Sequence, residues 1–123
     1  MVLLAHPGPR SSIRPHVLGA TILKDDGAHA VWVYLPHVAN ALGLDPDRPT
    51  SWNAAEVSQL ATALGRVAAH EIIHALAPDL PHTAGGLMAE RMGRGALLGP
   101  SVEVPLEFQQ ALRPTLLRHA SND

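Results

Sequence analysis

The sequence predicts one small α+β domain, and two features support this. Residues 17–23 and 28–35 are rich in Val, Ile, Thr, Trp and Tyr, which favour strands, and a polar turn segment separates them. Residues 53–77 carry apolar side chains at helical spacing, so a long amphipathic helix should follow the strands. The chain has 123 residues, which suits a single domain with a modest core.

Composition narrows the classes of protein to which the chain can belong. Aromatic residues make up 3% of the sequence, so the core must be built from aliphatic side chains. There is no cysteine, which excludes disulfides, thiolate metal ligands and a cysteine nucleophile. The net charge of -2 and the scattered basic residues argue against binding to nucleic acid or to a membrane surface. The sequence leaves the oligomeric state open.

No membrane anchor or export signal is expected. No run of residues is long and apolar enough to span a bilayer, and the opening Met1–Ala5 is too short for the core of a signal peptide and lacks a basic leader. The compartment is left unknown, with a cytoplasmic location as the default expectation.

The elements follow in order along the chain. Residues 1–16 are predicted to be a loose lead-in, because prolines and a glycine punctuate them. The two strands should pair as a β-hairpin with Asp26–Gly27 at the turn, and Pro36 should end the second strand. Residues 37–44 are predicted to form a short helix or turn, and a loop follows at 45–49.

The long helix has clear start and stop signals. Asn53 with Glu56 three residues later fits a capping box. Pro78 forbids continuation, so the helix should end near Ala77. A final helix is predicted over residues 105–119, with Pro114 as a candidate kink.

The end of the long helix carries the candidate functional residues. His70 and His74 are four residues apart, about 6 Å along a helix axis, so both imidazoles face the same side and can reach one metal ion. Glu71 lies beside the first histidine, where it can act as a general base on a water held at that metal. This combination favours a zinc site over incidental histidines.

Three residues remain open as the third ligand: His82, Glu90 and Asp79. His82 is favoured, because it follows the helix break and three imidazoles plus a water complete a tetrahedral catalytic zinc site.

Together, the segment His70–Ala77, then His82, then Gly86-Leu87-Met88 resembles the metzincin clan of zinc peptidases, in particular small bacterial metzincin-like proteins. The resemblance covers residues 69–92 and implies a minimal zincin fold, in which a small twisted sheet or hairpin packs on a long active-site helix, with a Met-turn and a C-terminal helix. It also implies that Met88 is the Met-turn residue, which packs beneath the ligand imidazoles without binding the metal.

The chain departs from the standard metzincin pattern at several positions. That pattern, H-E-x-x-H-x-x-G-x-x-H, has glycine where this chain has Ala77 and histidine where it has Leu80. The segment before the third histidine is two residues longer here. No tyrosine follows Tyr34, so a tyrosine after the Met-turn, which some metzincins use to stabilise the transition state, is missing.

The predicted function is that of a zinc metallopeptidase. One Zn²⁺ per chain would be held by His70, His74 and His82, and Glu71 would be the general base for hydrolysis of a peptide or protein substrate by a zinc-bound water. The main alternative is a zinc-stabilised binding or scaffold domain with little or no peptidase activity. A metal-free helical interaction domain is a second alternative, from a different class.

Overall fold

The computed structural model describes residues 2–4, 14, 16–23, 25, 29–100 and 102–121. Its elements in chain order are β1 (Val2–Leu4), β2 (Gly19–Leu23), β3 (His29–Tyr34), α1 (Leu35–Ala41), α2 (Ala54–Leu76), α3 (Arg94–Leu98) and α4 (Leu106–Ser121). Helix α2 packs against both β2 and β3. The predicted α+β class is confirmed, and a long helix lies on a small sheet as expected.

Strands β2 and β3 form the predicted antiparallel pair. Gly19 lies opposite Val33, and Leu23 lies opposite His29. Val31 and Val33 of β3 are buried, and Val33 packs in the hydrophobic cluster that includes residues of α2. The predicted turn at Asp26–Gly27 lies outside the described residues.

The sheet has a further strand that the sequence did not predict. Strand β1 pairs in parallel with β3, with Val2 opposite Trp32 and Leu4 opposite Tyr34, so the strand order is β1-β3-β2. The prediction of a loose lead-in over residues 1–16 is therefore wrong for Val2–Leu4, which form a strand. Three residues are too few to show a period, and a parallel partner lies far away in sequence, so local patterning could not reveal this pairing.

Helix α2 begins and ends where the local signals indicate. The Asn53 side-chain oxygen accepts a hydrogen bond from the backbone N–H of Glu56 at 2.8 Å. In return, the Glu56 carboxylate accepts one from the backbone N–H of Asn53 at 2.9 Å. The last helical residue is Leu76, and the Ala77 amide still donates to the Ile73 carbonyl at 2.8 Å. The capping box and Pro78 thus set the two ends of the helix whose last turns contain His70 and His74.

The buried face of α2 contributes to two hydrophobic clusters in the described part of the chain. The first joins α2 to β3, α1 and α3, and it contains Val33, Val38, Ala39, Leu42, Leu44, Leu60, Ala63, Val67 and Leu97. The second joins the end of α2 to α4 and the connecting loop, and it contains Ile73, Ala77, Leu87, Met88, Phe108 and Leu112. His70 lies on α2 between Val67 of the first cluster and Ile73 of the second.

The remaining helices agree in part with the predictions. Helix α1 begins at Leu35, two residues before the segment predicted as a short helix or turn, so the second strand ends at Tyr34, one residue earlier than predicted. Helix α4 matches the predicted final helix, with Pro114 inside it. Helix α3 has five residues and was not predicted. Among the described residues, no helix is both long and apolar enough to cross a membrane.

Candidate metal centre

Three histidines converge where α2 ends. The Nε2 atoms of His70 and His74 are 3.1 Å apart, and those of His74 and His82 are 2.9 Å apart. One ring nitrogen from each histidine lies within 4.8 Å of the other two. Among the residues that the structure describes, these three side chains form the one group of three or more candidate metal ligands. His70 is buried, His74 is half-buried and His82 is exposed, so this histidine cluster opens to solvent on one side.

The orientation of His70 is fixed by the loop that follows α2. Its Nδ1 atom lies 2.6 Å from the carbonyl oxygen of Leu87. A carbonyl oxygen can only accept, so Nδ1 carries the proton and donates it. In the neutral ring the lone pair is then on Nε2, the atom that faces His74. Ligand histidines in metal sites are commonly oriented by such an outer hydrogen bond.

The spacing and chemistry of the cluster fit a metal ion. With Zn–N bonds of about 2.0–2.1 Å, the nitrogens of a tetrahedral site lie about 3.3 Å apart, slightly more than the distances here. The His74 Nε2 atom contacts two other nitrogens, yet a ring nitrogen offers only one proton or one lone pair. Both contacts therefore cannot be good hydrogen bonds at the same time. A divalent cation among three lone pairs removes this conflict, and imidazole ligands suit zinc.

The surroundings of His74 favour the form that binds metal. Burial, and then the charges of His70 and His82, lower the pKa of His74 to about 4. Its imidazole is therefore neutral at pH 7, and only a neutral imidazole has a lone pair to give to a metal.

Glu71 lies at the same site, on the side of the sheet. Its side chain is buried, and the Thr21 hydroxyl on β2 donates to its Oε2 atom at 2.7 Å. Its other oxygen, Oε1, lies 4.0 Å from His70 Nε2. A carboxylate oxygen therefore lies near the ring nitrogen of His70 that contacts His74.

The two other candidate ligands are not part of the cluster. Asp79 is exposed in the loop after α2 and is not among the converging residues. Glu90 is exposed and lines the same cleft, but it is not one of the three converging groups either. Of the three residues left open by the sequence, the fold brings His82 to His70 and His74.

The segment Gly86-Leu87-Met88 forms a tight turn beside the cluster. Gly86 has φ of 75°, which favours glycine, and the Met88 carbonyl accepts from the Thr83 amide at 3.0 Å. Met88 is completely buried in the cluster that contains Phe108. Its burial is compatible with the packing role that the family resemblance implies.

The histidines and Glu71 face an open cleft of about 540 Å³. Strand β2 and the residues just before it form one wall, and the last turns of α2 and the loop reaching Met92 form the other. A cleft of this size suits a small molecule or several residues of a peptide.

Comparisons with known proteins give no further identification. No protein-family model matches the chain, and neither does any curated protein or solved structure. The metzincin resemblance remains a prediction from the motif, and the three converging histidines are compatible with it.

Sequence reasoning missed three contributions to the site. Thr21 binds Glu71 from 50 residues away, and the Leu87 carbonyl acts through its backbone, so neither leaves a local signal. The buried Phe108 ring of α4 lies edge-on to the His74 ring, with centroids 6.4 Å apart. Phe108 is the one phenylalanine in the chain, and this rarity was the available signal.

Proposed function

We propose that this chain is a zinc-dependent peptidase. The observation that carries the proposal is the combination of three convergent imidazoles with a buried carboxylate, in which Glu71 Oε1 lies 4.0 Å from His70 Nε2 at the wall of one open cleft. A purely structural metal site needs the imidazoles but has no use for a carboxylate that faces the metal position without joining the ligands.

The roles of the residues follow from this geometry. His70, His74 and His82 would hold the ion, and the Leu87 carbonyl would keep the His70 ring in place. When bound in this way, zinc lowers the pKa of a coordinated water to about 7 and polarises the carbonyl of a substrate. Glu71 accepts the proton of the attacking water and returns it to the leaving amine.

The sheet supports a peptide as the substrate. The strand order places β2 at an edge of the described sheet, and β2 also lines the cleft. An edge strand has unpaired main-chain groups that can bind an extended peptide by strand addition. A peptide aligned on β2 would run past Glu71, since Thr21 of that strand contacts the Glu71 side chain.

The decisive experiment tests the role of Glu71 as general base independently of zinc binding. Glu71→Gln should retain one zinc per chain by elemental analysis, yet lower the hydrolysis of a quenched peptide library by on the order of 100-fold or more. Glu107→Gln makes the same change on an exposed residue of α4 and should retain wild-type turnover. Turnover by Glu71→Gln at the wild-type rate would exclude Glu71 as the base.

The zinc-stabilised scaffold remains the second candidate, because the cluster also links α2 to a loop residue and a metal would tie the two together. A scaffold would bind zinc and gain stability while hydrolysing no peptide with or without a chelator. A peptidase loses activity in the chelator and regains it when zinc is restored.

A further inference from the structure

Two residues on one face of β2 contact the side chain of Glu71 along its length. Gly19 and Thr21 are two positions apart on this strand, so both point to the same side of the sheet, towards α2. Gly19 lies against the stem of Glu71, and Thr21 reaches its carboxylate.

Gly19 is required by the closeness of strand and helix. A Cβ atom at this position would lie 2.9 Å from Glu71 Cγ and 2.8 Å from the Trp32 carbonyl oxygen. It would also lie 3.0 Å from a methyl carbon of Val67 on α2. A larger residue would therefore force a shift in the strands or in the Glu71 and Val67 side chains.

Thr21 makes the two oxygens of the Glu71 carboxylate different. Its Oγ1 atom lies 2.7 Å from Glu71 Oε2 and 2.7 Å from the Glu71 backbone oxygen. A hydroxyl has one proton, and the backbone oxygen lies within α2, where it already accepts a helical hydrogen bond. The proton therefore goes to Oε2, because a buried carboxylate oxygen is costly to leave without a donor. Oε1 is left facing His70 Nε2.

We propose that Gly19 and Thr21 position the general base: Gly19 admits the stem of Glu71, Thr21 binds Oε2, and Oε1 is thereby assigned as the oxygen that accepts the proton. Thr21 is a positioning residue that acts through Glu71. The inference rests on the proposed peptidase function.

The test compares two substitutions of Thr21. Thr21→Val keeps the shape and removes the donor, so kcat should fall about 10- to 100-fold while KM changes by less than about twofold. Thr21→Ser restores the hydroxyl and should return kcat to within a few-fold of wild type. Thr62→Val is the matched control, because Thr62 is an exposed residue of α2 whose hydroxyl donates to the Ser58 carbonyl at 3.2 Å. It should leave kcat unchanged.

The measurements also separate this proposal from the peptidase proposal. Zinc content and melting temperature are recorded for every variant, and Thr21→Ala, with the same expected loss of kcat, replaces Thr21→Val if that variant does not fold. If wild type is active and Thr21→Val keeps its kcat, the positioning role is wrong and the peptidase survives. If wild type hydrolyses no peptide, the peptidase proposal fails, and crystal structures of wild type and Thr21→Val test the positioning role by itself. A Glu71 carboxylate that has not moved in Thr21→Val would overturn that role, whereas a rotated carboxylate would support it.

Discussion

At the scale of single residues, His70 connects the histidine cluster to the rest of the fold. One ring nitrogen donates to the Leu87 carbonyl at 2.6 Å, and the other faces His74 at 3.1 Å. Because the first contact fixes the proton on Nδ1, the second nitrogen is available as a ligand without any rearrangement. The turn before Met88 thus acts on the site through a backbone oxygen.

The lowered pKa of His74 makes the metal-free protein sensitive to acid. A histidine in the unfolded chain titrates near 6.5, whereas burial, together with the charges of His70 and His82, lowers the pKa of folded His74 to about 4. Between these two pH values, His74 is protonated in the unfolded chain but neutral in the folded protein. The free energy of unfolding should therefore fall as the pH drops from about 6.5 to about 4, by at most about 1.4 kcal/mol per pH unit.

Thermal unfolding in a chelator, followed by circular dichroism across this pH range, measures the effect. His74→Gln cannot titrate at this position, so its melting temperature should fall less steeply with acid than that of wild type. Parallel curves for the two proteins would contradict the assignment of the effect to His74.

At this scale, the residues of the site differ in how far the sequence could predict their positions. The spacing of His70 and His74 is a property of any helix, so their proximity could be predicted. The position of His82 depends on the path of a loop, and it is the structure that shows His82, rather than Asp79 or Glu90, converging with His70 and His74. Thr21 could not be predicted, because its contact with Glu71 depends on how β2 packs on α2.

At the scale of elements, the turn at Gly86-Leu87-Met88 determines where the Leu87 carbonyl points. Gly86 adopts φ of 75°, and a Cβ atom there would lie 3.3 Å from the Glu103 carbonyl oxygen. The neighbouring Gly85 has open space around its Cβ position and no positive φ. The two glycines therefore form a matched pair for mutation.

Gly86→Ala should lower the free energy of unfolding by about 1–2 kcal/mol, because alanine is strained in the left-handed region. It should also weaken zinc binding, since a shifted turn moves the acceptor that holds His70. Gly85→Ala should change both quantities little. Urea unfolding and a zinc competition titration give the two values, and equal effects of the two substitutions would argue against a special role for the turn.

The same scale explains which elements the sequence could reveal. Helix α2 is long, periodic and capped, so its bounds follow from residues within it. Strand β1 and helix α3 are short and depend on partners distant in sequence, and local patterns therefore carry little information about them. The predicted hairpin lies between these cases: its strands were recognisable and its parallel neighbour was not.

At the scale of the whole molecule, the histidine cluster brings together two parts of the chain that are separate in sequence. His70 and His74 belong to α2, whereas His82 lies in the loop that leads through Met88 to α3 and α4. The hydrophobic cluster around Met88 and Phe108 joins the same parts of the chain. A bound metal would therefore add to the packing of the C-terminal half on α2, and binding energy would become folding energy.

Zinc should stabilise this protein through the cluster. At a free zinc concentration about 100 times Kd, the stabilisation is about 2.7 kcal/mol, which corresponds to a rise in Tm on the order of 10 °C for a domain of this size. His82→Ala should abolish most of the rise, whereas Asp79→Ala and Glu90→Ala should retain it, because neither carboxylate converges with the imidazoles. Magnesium, which prefers oxygen ligands, should not replace zinc. Calorimetry with each ion measures the shifts, and a rise that survives in His82→Ala and disappears in Glu90→Ala would move the third ligand to Glu90.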